Sequence, residues 1–224
     1  MLLYYITDRL AFPGDESTRR RLLLDKIAEA ASHGIDYIQL REKGLSSREL
    51  ESLARDAMQI IRDHQPATGH RQPATALLVN SRTDIALAAN TAGVHLRSND
   101  VSPQEVRAAW HLSCGADTPV RVSSPNPMIS VSCHSPQEVV AAAANQATFA
   151  IFAPVFEKRD SPKQNPAGLN ALREACRAPT LVLALGGITI HNANACLKAG
   201  AAGIAAIRLF QENEITTVIR ELRP

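Results

Sequence analysis

Short apolar runs alternate with longer helical patterns along the chain, and this alternation restricts the fold more than any other sequence feature. The apolar runs lie at 3–7, 37–41, 76–80, 93–96, 129–132, 149–153, 180–184 and 203–207. Runs of this length are typical of buried parallel strands. Helical patterns follow at 17–32, 46–64, 83–89, 102–109, 135–145, 166–177, 192–199 and 213–222. This order predicts an α/β fold, a single-domain (β/α)8 TIM barrel over 1–224, with an open doubly wound sheet as the alternative.

Two helix starts carry capping-box patterns, from Ser46 to Glu49 and from Ser135 to Glu138. Segments 64–75 and 111–128 interrupt the alternation and are rich in Pro, Gly, Ser and Thr. Because both precede predicted strands, we interpret them as surface insertions at the amino-terminal face of the barrel, away from the chemistry.

The composition favours a cytoplasmic protein with small-molecule ligands. The 224 residues carry 24 Lys and Arg against 22 Asp and Glu, without a basic block interleaved with aromatics, which argues against nucleic acid. The four cysteines form no metal-binding spacing, and no segment resembles a signal peptide or a membrane span. Aromatic residues are sparse and mark no interface, so the sequence leaves a homo-oligomer open.

A strand, helix, strand pattern over 181–210 places two glycines where an anion can bind. Gly186 and Gly187 directly follow an apolar run, and their backbone N–H groups carry no side chains beside them. Such a pair ordinarily only turns the chain. Here Arg208 follows Ile207 at the end of the last predicted strand, where a buried guanidinium needs an anionic partner. The stretch therefore predicts a phosphorylated ligand, in the usual phosphate position of a barrel.

Basic residues end the second predicted strand, in the sequence Gln39-Leu40-Arg41-Glu42-Lys43. By the two-residue period of a strand, Gln39 and Arg41 point together into the barrel, and Lys43 follows at the rim. A charged run is ordinarily only solvated, but an inward arginine favours anion binding.

Polar side chains also follow the next three predicted strands. Asn80 and Asp100 offer oxygen ligands for a divalent cation, although such residues commonly only cap the next helix. The fifth strand ends in Ser132-Cys133-His134, where His134 suits a general acid or base or, equally, a structural histidine. Cys133 is expected to be packed. Segment 154–166 is long and charged, which favours a lid over a solvated loop.

Several motifs occur together in one order: YxITD at 4–8, QLREK at 39–43, NxRxDIAL at 80–87, GVHL at 93–96, SxHS at 132–135, PVF at 154–156, and GGI…NA…AGAAGIA at 186–205. In this combination the chain resembles the thiamine phosphate synthase and TenI family over nearly its whole length. Each motif alone is weak, but together they are highly specific. The family fold is a (β/α)8 barrel, in agreement with the periodicity.

The resemblance implies one of two activities. A thiamine phosphate synthase joins hydroxymethylpyrimidine diphosphate to thiazole phosphate carboxylate or its tautomer and releases diphosphate, with Mg²⁺ bound to that diphosphate. A TenI-like tautomerase isomerises the exocyclic double bond of thiazole phosphate carboxylate through a histidine, and it needs no metal.

Carried over residue by residue, the resemblance implies a pyrimidine diphosphate pocket at Gln39, Arg41, Lys43 and Asn80, a metal ligand at Asp100, a substrate contact at Ser132, a thiazole phosphate cradle at Gly187 and Ile207 beside Gly186, and the tautomerase histidine at His134. Arg41, Lys43 and His134 are the expected catalytic residues.

The chain departs from the family pattern at three places. Ser81 stands where the family has a second metal-binding aspartate, and Arg208 stands where the synthase has a serine. The phosphate-gripping Thr-x-Thr-Lys loop is not matched around 158–161, where Lys158 or Lys163 offers a replacement charge.

The intact QLREK motif and Asp100 favour the synthase, whereas Ser81 and the altered loop favour the tautomerase. We expect the synthase, with Mg²⁺ as its cofactor; a tautomerase would have none. A non-catalytic protein that binds thiazole phosphate or thiamine phosphate is the alternative from another class. Another phosphate-binding barrel enzyme is also open, but no lysine lies inside a predicted strand, which argues against Schiff-base aldolase chemistry.

Overall fold

A computed structural model describes residues 1–64, 75–113, 126–157 and 165–223. Within them a closed barrel of parallel strands forms, in which each strand pairs with its successor and the last pairs with the first. The strands are β1 (Leu2–Ile6), β2 (Tyr37–Leu40), β3 (Ala76–Asn80), β4 (Gly93–Leu96), β5 (Met128–Cys133), β6 (Phe149–Phe152), β7 (Leu181–Leu185) and β8 (Gly203–Ala206). The predicted (β/α)8 barrel is confirmed, and pairing of β1 with β8 excludes the open sheet.

Helices surround the barrel: α1 (Glu16–Ser32), α2 (Ser47–Asp63), α3 (Thr83–Ala88), α4 (Pro103–Ser113), α5 (Pro136–Ala144), α6 (Gly168–Ala175), α7 (Ile190–Lys198), α8 (Arg208–Gln211) and α9 (Ile215–Leu222). Ser46 and Glu49 form the predicted capping box of α2. At α5 the side chain of Ser135 caps as expected, but the Glu138 carboxylate accepts the N–H of His134, one residue earlier than a capping box requires.

Two differences from the sequence prediction bear on the insertions and on the site. Helix α4 continues to Ser113 instead of ending at 109, because Trp110 is fully buried and anchors its last turn. Segment 111–128 is therefore not wholly an insertion; its part at 114–125, like 65–74 of the other insertion, lies outside the described residues. The last strand ends at Ala206, and Arg208 begins the short helix α8, which was not predicted.

The core has two layers because successive strand residues face opposite sides. Inside the barrel, Tyr4 packs edge-on against Phe149 with ring centroids 5.8 Å apart, and Tyr37 lies 4.9 Å from the same ring. Outward-facing residues such as Leu3 and Tyr5 join the larger layer beneath the helices. In the described part of the chain, no helix has the length and apolarity needed to cross a bilayer.

Gly93 is expected to be indispensable for closing the barrel. A Cβ there would lie 1.8 Å from the Met128 carbonyl oxygen in the neighbouring strand. Gly93→Ala should therefore lower the free energy of unfolding by about 3 kcal/mol or more, measured by urea denaturation. Gly44→Ala is the control: it meets no atom within 4 Å, and its positive φ of 88° should cost only about 1–2 kcal/mol. Equal losses of unfolding free energy in the two variants would contradict the role of the close contact between Gly93 and the neighbouring strand.

Candidate active site

A cavity of about 460 Å³ opens at the carboxyl ends of β1, β2, β7 and β8. Barrel proteins build their sites at this end. The cavity brings together several of the residues that the sequence singled out, from Arg41 to Arg208, which lie 167 positions apart in the chain. Its lining comprises Asp8, Ala11, Arg41, Leu185, Gly186, Gly187, Ile188, Ala205, Ala206, Ile207, Arg208, Leu209 and Glu212.

The Gly186-Gly187 turn is held tightly under the loop after β6. Both glycines have positive φ, 100° and 63°, and a Cβ on them would lie 2.7 Å from Pro154 Cα and 2.4 Å from the Glu157 carbonyl oxygen. Their carbonyl groups accept hydrogen bonds from the loop and from Asn192. The turn can therefore meet an anion with its backbone N–H groups, and no other residue fits there.

Arg208 lies at the edge of the same cavity but in a different setting from the one expected. It begins α8 instead of ending a buried strand, its side chain is 38% exposed, and its Nε lies 3.9 Å from a Glu212 carboxylate oxygen. An anionic partner is thus supplied within the chain, so burial alone does not demand a ligand. The guanidinium remains beside the glycine turn, where an incoming phosphate can compete for it.

Arg41 is positioned by a buried network at the ends of β1 and β2. Its backbone N–H donates to Thr7 Oγ1 at 3.1 Å, and the Thr7 hydroxyl in turn donates to the Glu42 carboxylate. The Glu42 carboxylate also accepts the backbone N–H of Arg9 at 3.0 Å and lies 3.4 Å from its guanidinium. Burial raises the pKa of Glu42, although the bonds from Thr7 and Arg9 oppose this.

The charged residues of the QLREK motif therefore have two different roles. Arg41 lines the cavity, whereas Glu42 is buried and holds the loop. The Lys43 side chain is exposed and does not line this cavity; its backbone carbonyl accepts from Arg9. Lys43 was expected at the site, whereas roles for Glu42, Thr7 and Arg9 were not. The sequence did offer a signal for Glu42: it is an acidic residue inside a basic motif next to a strand end.

A directional relay of hydrogen bonds runs from the barrel interior to the rim. Gln39 Nε2 donates to Asn80 Oδ1 at 2.8 Å, Asn80 Nδ2 donates to Ser81 Oγ at 3.2 Å, and Ser81 Oγ donates to Asp100 Oδ2 at 2.6 Å. Since an ionised carboxylate only accepts, Asp100 sets the direction of every bond before it. The remaining acceptor, Gln39 Oε1, is buried without a hydrogen-bond partner. A buried orphan acceptor is costly, so it marks a position where a ligand donor can bind.

Asp100 does not have the surroundings of a metal ligand. Oδ1 accepts two guanidinium N–H groups of Arg97, at 3.1 and 2.8 Å, and Oδ2 accepts the Arg97 backbone N–H and the Ser81 hydroxyl. Burial works against ionisation, but the bonds from Arg97 and Ser81 outweigh it and lower the pKa of Asp100.

Mg²⁺ needs several oxygen ligands with free lone pairs. Among the described residues, no three His, Cys, Asp or Glu side chains come together in a way that could hold an ion. The Asp100 oxygens are occupied by Arg97 and Ser81, and Ser81 is neutral, so the residues expected at the metal position do not fit a bound Mg²⁺ in this arrangement.

His95 was part of a motif in the sequence but was not expected at the site. It is buried on the inward side of β4, where Nδ1 lies 2.8 Å from Ser130 Oγ and Nε2 lies 2.8 Å from Ser132 Oγ. Burial lowers its pKa to about 3, the Asp100 carboxylate opposes this, and Arg41 adds to it. The imidazole is therefore neutral and fixes the orientation of Ser132, the expected substrate contact.

His134 is exposed at the end of β5, before α5 begins. Its Nδ1 lies 2.7 Å from the Ala153 carbonyl oxygen, which can only accept. Nδ1 must therefore carry the proton, so Nε2 of the neutral ring is the basic atom. Its neighbour Cys133 is packed as expected, and burial raises the pKa of that thiol to about 12. Lys158 and Lys163, and most of the expected lid, lie outside the described residues.

The fold and the site together define a (β/α)8-barrel protein with a glycine cradle and a basic mouth at the carboxyl ends of its strands. The chain belongs to the thiamine monophosphate synthase family, whose profile matches residues 3–210.

Similar proteins agree with this assignment. A thiamine-phosphate synthase of Methanoculleus marisnigri is 34% identical over 224 residues, covering 99% of this chain and 93% of the relative. A putative thiamine-phosphate synthase 2 of Aquifex aeolicus is 32% identical over 94% of this chain and 97% of the relative. The solved structure of a thiamine phosphate pyrophosphorylase from Pyrococcus furiosus superposes with a TM-score of 0.75 at 27% identity, covering 99% of this chain and 93% of that one.

The buried neutral imidazole of His95 predicts a specific pH dependence of stability. Its folded pKa of about 3 lies below the ordinary 6.5, so below pH 6.5 the unfolded chain binds a proton that the folded chain does not. Stability is complete above that pH and falls towards pH 3, by up to about 1.4 kcal/mol per pH unit. His95→Gln should remove this contribution, so urea unfolding curves should converge as the pH is lowered. Parallel pH dependences of the two proteins would contradict a neutral His95.

Proposed function

We propose that this protein is a thiamine phosphate synthase, which couples hydroxymethylpyrimidine diphosphate to a thiazole phosphate and releases diphosphate. The observation that carries the proposal is the presence of two separate binding elements at the carboxyl ends of the barrel strands. One is the Gly186-Gly187 turn beside Arg208, which lines the cavity, and the other is the buried orphan acceptor of Gln39 near the end of β2, outside that lining. A reaction that joins two substrates needs both elements; a one-substrate isomerisation needs only the first.

The two elements suit the two substrates chemically. The glycine N–H groups and Arg208 match the phosphate of the thiazole. The Gln39 acceptor matches a hydrogen-bond donor such as the exocyclic amine of the pyrimidine. That amine would be buried on binding. Relatives named as synthases at 32–34% identity support the same assignment.

Arg41 is the residue proposed to promote the chemical step. When the C–O bond to diphosphate breaks, negative charge develops on the departing group and positive charge on the pyrimidine methylene, to which the thiazole then bonds. The Arg41 guanidinium at the mouth stabilises the departing anion, and the buried Thr7–Glu42–Arg9 network holds the Arg41 backbone in place. The family is generally Mg²⁺-dependent, but the Asp100 oxygens of this chain are already taken by Arg97 and Ser81. Small phosphorylated substrates are therefore the proposed partners.

We propose a cytoplasmic location for this enzyme. Its described cysteines, Cys133, Cys176 and Cys196, are free thiols, as expected in a reducing compartment.

The second candidate is a thiazole tautomerase, and one observation favours it. The Ala153 carbonyl fixes the tautomer of His134 and leaves Nε2 as an exposed base. Isomerisation of a double bond needs a proton moved at one position and a bound phosphate, without a diphosphate pocket.

One experiment separates the two candidates. The purified protein is incubated with both substrates, and thiamine phosphate is measured together with exchange of the thiazole proton into heavy water. Thiamine phosphate formation is the expected result. Exchange without coupling would identify the tautomerase, and tight binding of thiazole phosphate with neither reaction would indicate a non-catalytic binding protein.

The roles of Arg41 and His134 predict opposite mutant effects. Arg41→Ala should reduce coupling by about 100-fold or more while sparing proton exchange, since it removes charge stabilisation only at the leaving group. His134→Ala should reduce exchange by about 100-fold while sparing coupling. Arg82→Ala is the matched control, because Arg82 is a rim arginine paired with Asp84 away from the cavity. Equal losses of both activities from each site variant would contradict this division.

A further inference from the structure

Asp100, Ser81 and Arg97 form a closed cluster at the rim of the barrel, defined here as the rim cluster. Four hydrogen bonds converge on the carboxylate, whose side chain is only 11% exposed, and three of them come from Arg97. The fourth comes from Ser81, which also accepts from Asn80 and so joins the cluster to the relay that ends at Gln39. The family resemblance led us to expect a metal ligand here instead.

We propose that the rim cluster replaces the divalent cation, so that this protein binds the diphosphate end of its substrate without a metal held by Asp100. Arg97 supplies the positive charge and acts as a positioning residue for Gln39. This inference rests on the proposed synthase function. It concerns a different property, namely which cation neutralises Asp100.

The charge count supports the replacement. Two aspartates and one Mg²⁺, as the family resemblance implies, carry a net charge of zero. Ser81, ionised Asp100 and the Arg97 guanidinium also sum to zero, since one negative charge is matched by one positive charge. The net charge at this position is therefore the same without an ion.

Serine is the residue type that the cluster requires at position 81. Its hydroxyl accepts from Asn80 and donates to Asp100 simultaneously, which a carboxylate cannot do. The side chain is placed by a backbone with a positive φ of 58°, a conformation that aspartate also tolerates. An aspartate can therefore be restored there without strain, which makes the replacement reversible by mutation.

The Arg97 pair is not merely a surface salt bridge. The Arg97 side chain is 61% exposed, and an ion pair of that exposure contributes little stability by itself. Its consequence is directional: Arg97 and Ser81 donate to both oxygens of Asp100, so each donor of the relay points outwards and the Gln39 oxygen is left without a partner.

The test measures binding of inorganic diphosphate by calorimetry, in EDTA and in excess Mg²⁺, together with Mn²⁺ binding followed by electron paramagnetic resonance. The wild-type protein should bind diphosphate with the same affinity in both buffers and should not bind Mn²⁺. Ser81→Asp/Arg97→Gly should bind Mn²⁺ and bind diphosphate about tenfold or more tightly with Mg²⁺ than without. Arg97→Gly alone should weaken diphosphate binding in EDTA, and Arg97→Lys should restore part of it.

Arg82→Ala should behave as wild type in every assay, because Arg82 pairs with Asp84 and does not contact the relay. Wild-type protein that binds Mn²⁺ stoichiometrically, that binds diphosphate only with Mg²⁺, or that binds it in neither buffer would overturn the proposal. So would Arg97→Gly indistinguishable from wild type. If the double variant is unfolded by circular dichroism, the two Arg97 single variants and the wild type decide the question.

Failure of this inference is distinguishable from failure of the proposed function. Thiamine phosphate formed only with Mg²⁺ would leave the synthase intact and remove the metal replacement. Metal-independent diphosphate binding without thiamine phosphate formation would do the opposite.

Discussion

Parallel pairing of β1 with β8 is the interaction on which the rest of the structure depends. It closes the barrel and places the end of the first strand beside the end of the last, with Tyr5 opposite Ala206. Residues separated by most of the chain then share one mouth, from Asp8 to Glu212. Close approach of backbones at Gly93 and Gly203 makes this closure sterically exact, since each would otherwise place a Cβ within 2.1 Å of a neighbouring carbonyl oxygen.

Closure explains why the fold and part of the site followed from the sequence. The two-residue period predicts which strand residues face inwards, and barrel geometry predicts that strand ends meet, so the convergence of Arg41, Gly186 and Arg208 was within reach. The hydrogen-bond partners of buried polar groups could not be predicted from the sequence, because they depend on the register between strands. Gln39 and Asn80 are 41 positions apart, and His95 and Ser130 are 35 apart. The two-residue period predicts which face of the strand a residue is on. It does not predict which residue of the adjacent strand lies beside it.

The mouth combines fixed positive charge with nearby acids, and this balance governs what it can bind. Arg41 and Arg208 line the cavity together with Asp8 and Glu212. In the proposed synthase, an incoming phosphate would compete with Glu212 for Arg208. The Thr7–Glu42–Arg9 network lies behind this surface and is buried, so it holds Arg41 without neutralising it.

In the rim cluster, the serine at position 81 changes the role of the neighbouring Asp100. Asp100 alone resembles a metal ligand, and in the sequence it was interpreted as one. With serine at 81 and arginine at 97, the same carboxylate has every lone pair directed at a donor and becomes the terminus of a relay. The relay connects Asp100 to Gln39 in the barrel interior, and the unpartnered oxygen of Gln39 is the polar group left for a ligand. A carboxylate at a family position therefore predicts a metal only when the residues around it leave its oxygens unoccupied.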